Sequence, residues 1–215
     1  MKSIFIAFTF LIIGCSLQSN LNNFTQEEIK YFTEIALGAE FGDEVPVLKK
    51  WTENVRIKIN GEPTEQDIQT IFKVANDLNK LITGIKIKIV DKNENLTITF
   101  SPESDFASID PNYVPINYGF FWALWHDDNF VIHDASILVS SADITQLERS
   151  HLIREELTQS LGLMNDSKKH KDSIFYQEWT DVTKFSEIDR AVIKLLYLKN
   201  IKPGMSKTQV LKVLN

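Results

Sequence analysis

Arg154-Glu155-Glu156-Leu157-Thr158-Gln159-Ser160-Leu161-Gly162-Leu163-Met164-Asn165-Asp166 is the stretch that decides the fold. It reads as the second half of a helix that opens at Thr145, buries Ile153, Leu157 and Leu161, and ends at Gly162 as a left-handed cap. At 100° per residue, His151, Glu155 and Gln159 fall within about 80° of one another on a different face, with Glu156 beside them. The helix therefore presents one apolar stripe and one line of acid-base or metal-binding groups.

Outward from this helix the chain is punctuated by capping boxes. Thr25/Glu28, Thr64/Asp67, Thr145/Glu148 and Ser186/Asp189 each place a hydroxyl three residues ahead of a carboxylate at the start of a 3.6-residue apolar pattern. After Thr64 the apolar positions Ile68, Ile71, Phe72, Ala75, Leu78 and Ile82 predict one core-facing stripe. Between the helices the period becomes two. Val55/Ile57/Ile59, Ile85/Ile87/Ile89 and Leu96/Ile98/Phe100 alternate with polar residues and predict half-buried strands. A loop from Ser101 to Pro115 leads to an aromatic run, Tyr118 to Trp125, which with the strand after His126-Asp127-Asp128-Asn129 predicts a hairpin. The run Phe120-Phe121-Trp122-Leu124-Trp125 reads as core or protected edge rather than as a ligand platform. The element order gives an α+β domain with a mixed sheet.

The motif helix resembles the zinc helix HExxHxxGxxH of the metzincin metallopeptidases. Glu155 stands at the first histidine, Glu156 at the general-base glutamate, Gln159 at the second histidine, Gly162 at the turn glycine and Asn165 at the third histidine. Downstream, Asp172-Ser173-Ile174-Phe175-Tyr176 resembles the Met-turn of matrixins, with Phe175 replacing the methionine. A closer resemblance is to domain of unknown function 2927, a bacterial family. It rests on Glu155-Glu156, Gln159, Leu161-Gly162-Leu163, Asn165-Asp166, Ser173-Ile174-Phe175, Leu196-Tyr197 and Pro203-Gly204-Met205-Ser206. These resemblances imply a zincin-like, metzincin-type fold: a twisted mixed sheet, a backing helix, an active-site-type helix beneath the lower edge of the sheet, and a C-terminal helix.

All three zinc histidines are absent. Glu155, Gln159 and Asn165 would offer one charged and two neutral oxygen donors, a set that suits calcium, magnesium or manganese better than zinc. Asp166, His170 and His151 are the replacement ligands within reach in sequence. The reading we carry forward needs no cofactor: a polar cleft of Glu155, Glu156, Gln159, Asn165 and Asp166 that binds an extended peptide or an envelope protein without hydrolysing it. The alternatives are a hydrolase with an oxygen-rich divalent-cation site and Glu156 as general base, or a structural envelope protein.

The N-terminus adds a location. Lys2, the apolar run Ile4 to Ile13 and the tetrapeptide Ile12-Ile13-Gly14-Cys15 read as a signal peptide ending in a lipobox. The expected organisation is a signal peptide at 1–14, a lipidated Cys15 with a tether to residue 23, and a single domain over 24–215 with a short C-terminal extension. Such an anchor holds a protein on a membrane surface without spanning it, and Ser16 after the cysteine fits the outer membrane. Cys15 is the only cysteine, and 43% of the 215 residues are apolar, so a hydrophobic core rather than disulfides must hold the fold. A formal charge of −6 with scattered lysines argues against nucleic acid as a partner.

Overall fold

The computed structural model describes residues 24–37 and 46–214. Cys15, the signal peptide and the tether lie outside the described residues.

Six helices and six strands follow one another as α1 (Gln26–Leu37), β1 (Lys50–Trp51), β2 (Val55–Gly61), α2 (Glu65–Leu81), β3 (Ile87–Ile89), β4 (Leu96–Ser101), α3 (Phe106–Ile109), β5 (Gly119–Trp125), β6 (Val131–Ser140), α4 (Gln146–Gln159), α5 (Glu187–Leu196) and α6 (Lys207–Leu214). The four predicted capping boxes all form: at Thr64, Thr145 and Ser186 the hydroxyl accepts from the N3 amide while the N3 carboxylate accepts from the cap amide, and Thr25 and Glu28 make the same exchange. Each box satisfies two amides that a helix start otherwise leaves without partners.

The sheet has the order β1-β6-β4-β2-β3 with parallel neighbours, and β5 pairs antiparallel with the other side of β6. One sheet face, carrying Leu96, Ile98, Phe100, Ile137, Val139 and Ala123, shares a core with Ile71, Val74 and Leu78 of α2 and Leu152, Ile153 and Leu157 of α4. The opposite face is covered instead by a small cluster of Phe106, Phe120 and Leu138 with Tyr113. This is the α+β architecture with a mixed sheet that the element order implied, with α2 and α4 side by side on one face.

Charge pairing joins those two helices. Asp67, wholly buried, completes the α2 capping box and accepts from Arg149 at 3.1 Å and Gln146 at 2.6 Å. One helical length away Arg154 donates to Asp77 at 3.2 Å and stacks on the Phe185 ring. The predicted α2 stripe shifts slightly as a result: Val74 is buried, whereas Phe72 stands 53% exposed, because Ile71, Val74, Ala75 and Leu78 form the narrower face that fits between sheet and α4.

Two elements differ from expectation. The loop after β4 contains the short helix α3, and the C-terminal extension is a helix, α6. Its preceding Pro203-Gly204-Met205-Ser206 segment is stitched to the segment before β1 by Leu48 N to Met205 O (2.9 Å) and Gly204 N to Leu48 O (2.7 Å). Lys50 beside it is buried, donating to the carbonyls of Leu196 (2.7 Å) and Ile201 (2.8 Å) at the end of α5. Burial pushes the Lys50 ammonium down to about 8.

Candidate functional site

The end of α4 is fixed by the elements around it. Trp51 Nε1 donates to Ser160 O at 2.9 Å and Tyr197 OH to Leu161 O at 3.1 Å, satisfying carbonyls that the helix end leaves open. Gly162 then turns the chain with φ +114° directly against β1, where an added Cβ would lie 2.1 Å from Lys49 O. Both features position the motif residues below the hairpin.

There a cleft of about 760 Å³ opens. Its upper lip is β5, its floor is α4 with His151, Leu152, Glu155, Glu156 and Gln159, and its far wall is Met164, Asp166 and residues 176–180. Sequence reasoning grouped Glu155, Glu156, Gln159 and Asp166, and all four line this cleft. Asn165 does not join them: its amide donates to Ile35 O (3.1 Å) and its side chain to Glu34 O (3.2 Å), so it ties the loop to the end of α1. His170 is also elsewhere, edge-on to Tyr31 and 3.7 Å from Glu27. Phe175, at the turn position, is wholly buried. That turn is held from below, because Ser173 Oγ donates to Asp189 at 2.6 Å and in turn accepts from Phe175 N.

His151 takes a defined part in the floor. Its Nδ1 lies 2.7 Å from Val182 O, a group that can only accept, so Nδ1 carries a proton; its Nε2 lies 3.1 Å from the Glu155 carboxylate. That second contact needs a proton as well, and the Glu155 carboxylate favours the imidazolium form of His151. Burial pulls the His151 pKa down, but the hydrogen bond and charge of Glu155 outweigh it, and the net shift is upward. A histidine with a raised folded pKa stabilises fully below its unfolded value of about 6.5, and that stability is lost as pH rises through the folded value. We expect wild-type stability to fall more steeply than that of His151→Gln as pH rises above about 6.5, measured by denaturant unfolding; parallel profiles would show that His151 is neutral.

Glu156 is buried rather than solvated, and its carboxylate sits under the first residue of β5: a Cβ on Gly119 would come within 2.5 Å of Oε1. Arg154, adjacent in sequence, is turned away toward Asp77. Gln159 Nε2 donates to Asp166 Oδ1 at 2.8 Å, holding that carboxylate beside the end of α4.

Each of the three positions that stand at the zinc histidines has a partner of its own. Glu155 is engaged by His151, Gln159 presents its amide nitrogen to Asp166, and Asn165 faces α1. Among the described residues no three His, Cys, Asp or Glu side chains converge as a ligand group. The floor pairs acid and base groups by hydrogen bonds, His151 with Glu155 and Gln159 with Asp166.

Several lining groups were not picked out from sequence. Tyr176 to Thr180 form the far wall, with Trp179 57% exposed and donating to Glu148 at 3.0 Å. Lys49 stands 4.1 Å over the Trp125 ring at one end. The aromatic run is only partly core: Phe120 and Ala123 are buried, but Trp122 and Leu124 are 38% and 46% exposed along the lip. Their alternation in β5 was the available signal, since a free edge strand exposes every second side chain.

Two solved structures of myroilysin are similar to the chain: one has a TM-score of 0.45 at 10% identity, covering 69% of this chain and 86% of that one, and the other 0.43 at 13%, covering 71% and 83%. No curated protein matches the sequence. The model of a family described as protein of unknown function (DUF2927) matches residues 25–215, and the chain belongs to that family.

Proposed function

We propose that the protein is an exported lipoprotein, held on the cell envelope through Cys15, whose peptidase-like domain binds an extended peptide or protein segment without cleaving it. The observation that carries this reading is the free edge of β5 above the cleft. Among the described residues β5 pairs only with β6. Ser140 N donates to Tyr118 O, so the alternation of an antiparallel ladder turns the amides and carbonyls of Gly119, Phe121 and Ala123 outward. An extended segment laid there gains main-chain hydrogen bonds while its side chains reach the floor, the mode known as strand addition. Loss of the metal donors supports binding without turnover.

Incubating the protein with an unbiased peptide library tests the reading. We expect retention of some peptides and no cleavage products. Hydrolysis by the wild type, reduced by about 10² to 10⁴ in Glu156→Gln, would instead establish Glu156 as a general base. For the anchor, no helix of the described residues is long and apolar enough to cross a membrane. Cys15→Ala is expected to move the protein from the membrane fraction to the soluble or unprocessed pool. A processed variant that stays with membranes would contradict lipidation.

A further inference from the structure

At the turn of the β5–β6 hairpin two imidazoles lie face to face. The rings of His126 and His133 stack with centroids 4.3 Å apart and planes 29° from parallel. A break in the ladder brings them together. Leu124 pairs with Asp134 but Trp125 pairs with Ile132, so His133 is the extra residue of a β-bulge, a device that re-aims a side chain. The bulge lets Ile132 stay in the core while His133 leaves the alternation and meets His126 on the exposed surface. The backbone beneath the pair is held by the turn: His126 N donates to Val131 O at 3.0 Å, Phe130 N donates to His126 O at 2.7 Å, and Val131 N donates to Asn129 Oδ1 at 3.0 Å. Among the described residues neither ring makes a hydrogen bond, so its nitrogens stay available to a ligand.

Two neutral imidazoles placed side by side are a donor pair for a transition-metal cation. Metal–nitrogen bonds of about 2.0 to 2.1 Å put two ligating nitrogens on one ion roughly 3 Å apart. Stacked rings reach that spacing by turning about their own side-chain bonds, with no movement of the strands. Asp127 and Asp128 in the turn and Asp134 next to His133 make the surrounding surface negative, which draws cations to it. Among the described residues no third His, Cys, Asp or Glu completes a ligand group, so water fills the remaining positions. Nitrogen donors of this kind rank copper(II) above zinc, whereas calcium and magnesium require oxygen. We infer that His126 and His133 form a two-histidine surface site for a divalent transition metal, copper(II) in preference to zinc, that clips β5 to β6 at their turn. Neither histidine lines the cleft, so the site stands apart from peptide binding.

The test uses full-length, detergent-extracted protein and the metal salts alone. Copper(II) titration, followed by quenching of tryptophan fluorescence, is expected to show one equivalent that His126→Gln and His133→Gln each weaken about tenfold or more, since loss of a direct ligand costs no less than loss of a group that merely orients one. The double variant should lose this equivalent, whereas His170→Gln should keep it. Electron paramagnetic resonance of the wild-type complex should show coupling to two imidazole nitrogens. Zinc should raise the denaturant midpoint of the wild type and leave that of the double variant unchanged, because the paired geometry exists only in the folded hairpin. Both histidines are exposed, so the metal-free midpoints of the variants should match that of the wild type. Copper(II) bound equally by the wild type and the double variant, or a wild-type complex coupled to a single nitrogen, would overturn the site.

Discussion

Gly162→Ala is expected to destabilise the protein by about 3 to 5 kcal/mol, measured by denaturant unfolding. At φ +114° an L side chain is strained whatever the space around it, and here the space is already filled. The new Cβ would meet the Lys49 carbonyl oxygen at 2.1 Å and its carbon at 3.1 Å. That backbone cannot retreat easily, since the next residue, Lys50, pairs with Val131 in the sheet and its side chain is buried against the end of α5. The strain must then pass into the end of α4, which carries Gln159 and positions Asp166. A loss under about 1 kcal/mol would mean that α4 is not clamped on β1 and that the cleft floor is less fixed than described.

Asp189→Ala should cost a similar amount, about 3 to 5 kcal/mol, through hydrogen bonds rather than packing. Asp189 is wholly buried and does two tasks. As the third residue of α5 it accepts from Ser186 N at 2.9 Å, and it holds the Ser173-Ile174-Phe175 turn through Ser173 Oγ at 2.6 Å and Ile174 N at 3.3 Å. Burial pushes its carboxyl above the usual range, and these donors work against that shift. Removing the carboxylate leaves three donors without an acceptor in the interior, and Tyr31, whose hydroxyl meets Ser173 at 3.0 Å, loses the far side of its network. Asp189→Asn should cost less, because one carbonyl oxygen survives. If the alanine variant were as stable as wild type, the turn would have to be held by Phe175 packing alone.

How far the fold could be read in the sequence follows from the range of the interactions involved. Thr64, Thr145 and Ser186 were legible as helix starts because a capping box acts over three residues. The same local signal stands at Ser206 ahead of α6, where Gln209 Oε1 accepts from Ser206 N at 2.8 Å. The period-two strands were equally plain, and so was the hairpin. The cleft was only half legible. Glu155, Glu156 and Gln159 share a helix face by geometry alone, and Asp166 follows them closely. Asn165 occupies a ligand position by alignment, but the chain turning at Gly162 sends it to α1, a contact between residues 131 apart in sequence. The partner of His151 is a backbone carbonyl at Val182, and the far wall comes from residues 176–180. Neither carries a residue type that advertises its place, so tertiary packing decided both.

The account turns on strand addition at β5, and backbone hydrogen exchange of that strand tests it most directly. With a retained library peptide bound, the outward amides of Phe121 and Ala123 should become slower to exchange. The amides of Phe120 and Trp122, which the ladder alternation turns toward β6, should change little. Protection confined to β5 and the facing residues 176–180 is the predicted result. Peptide binding that leaves the exchange of Phe121 and Ala123 unaltered would place the ligand elsewhere and contradict the account.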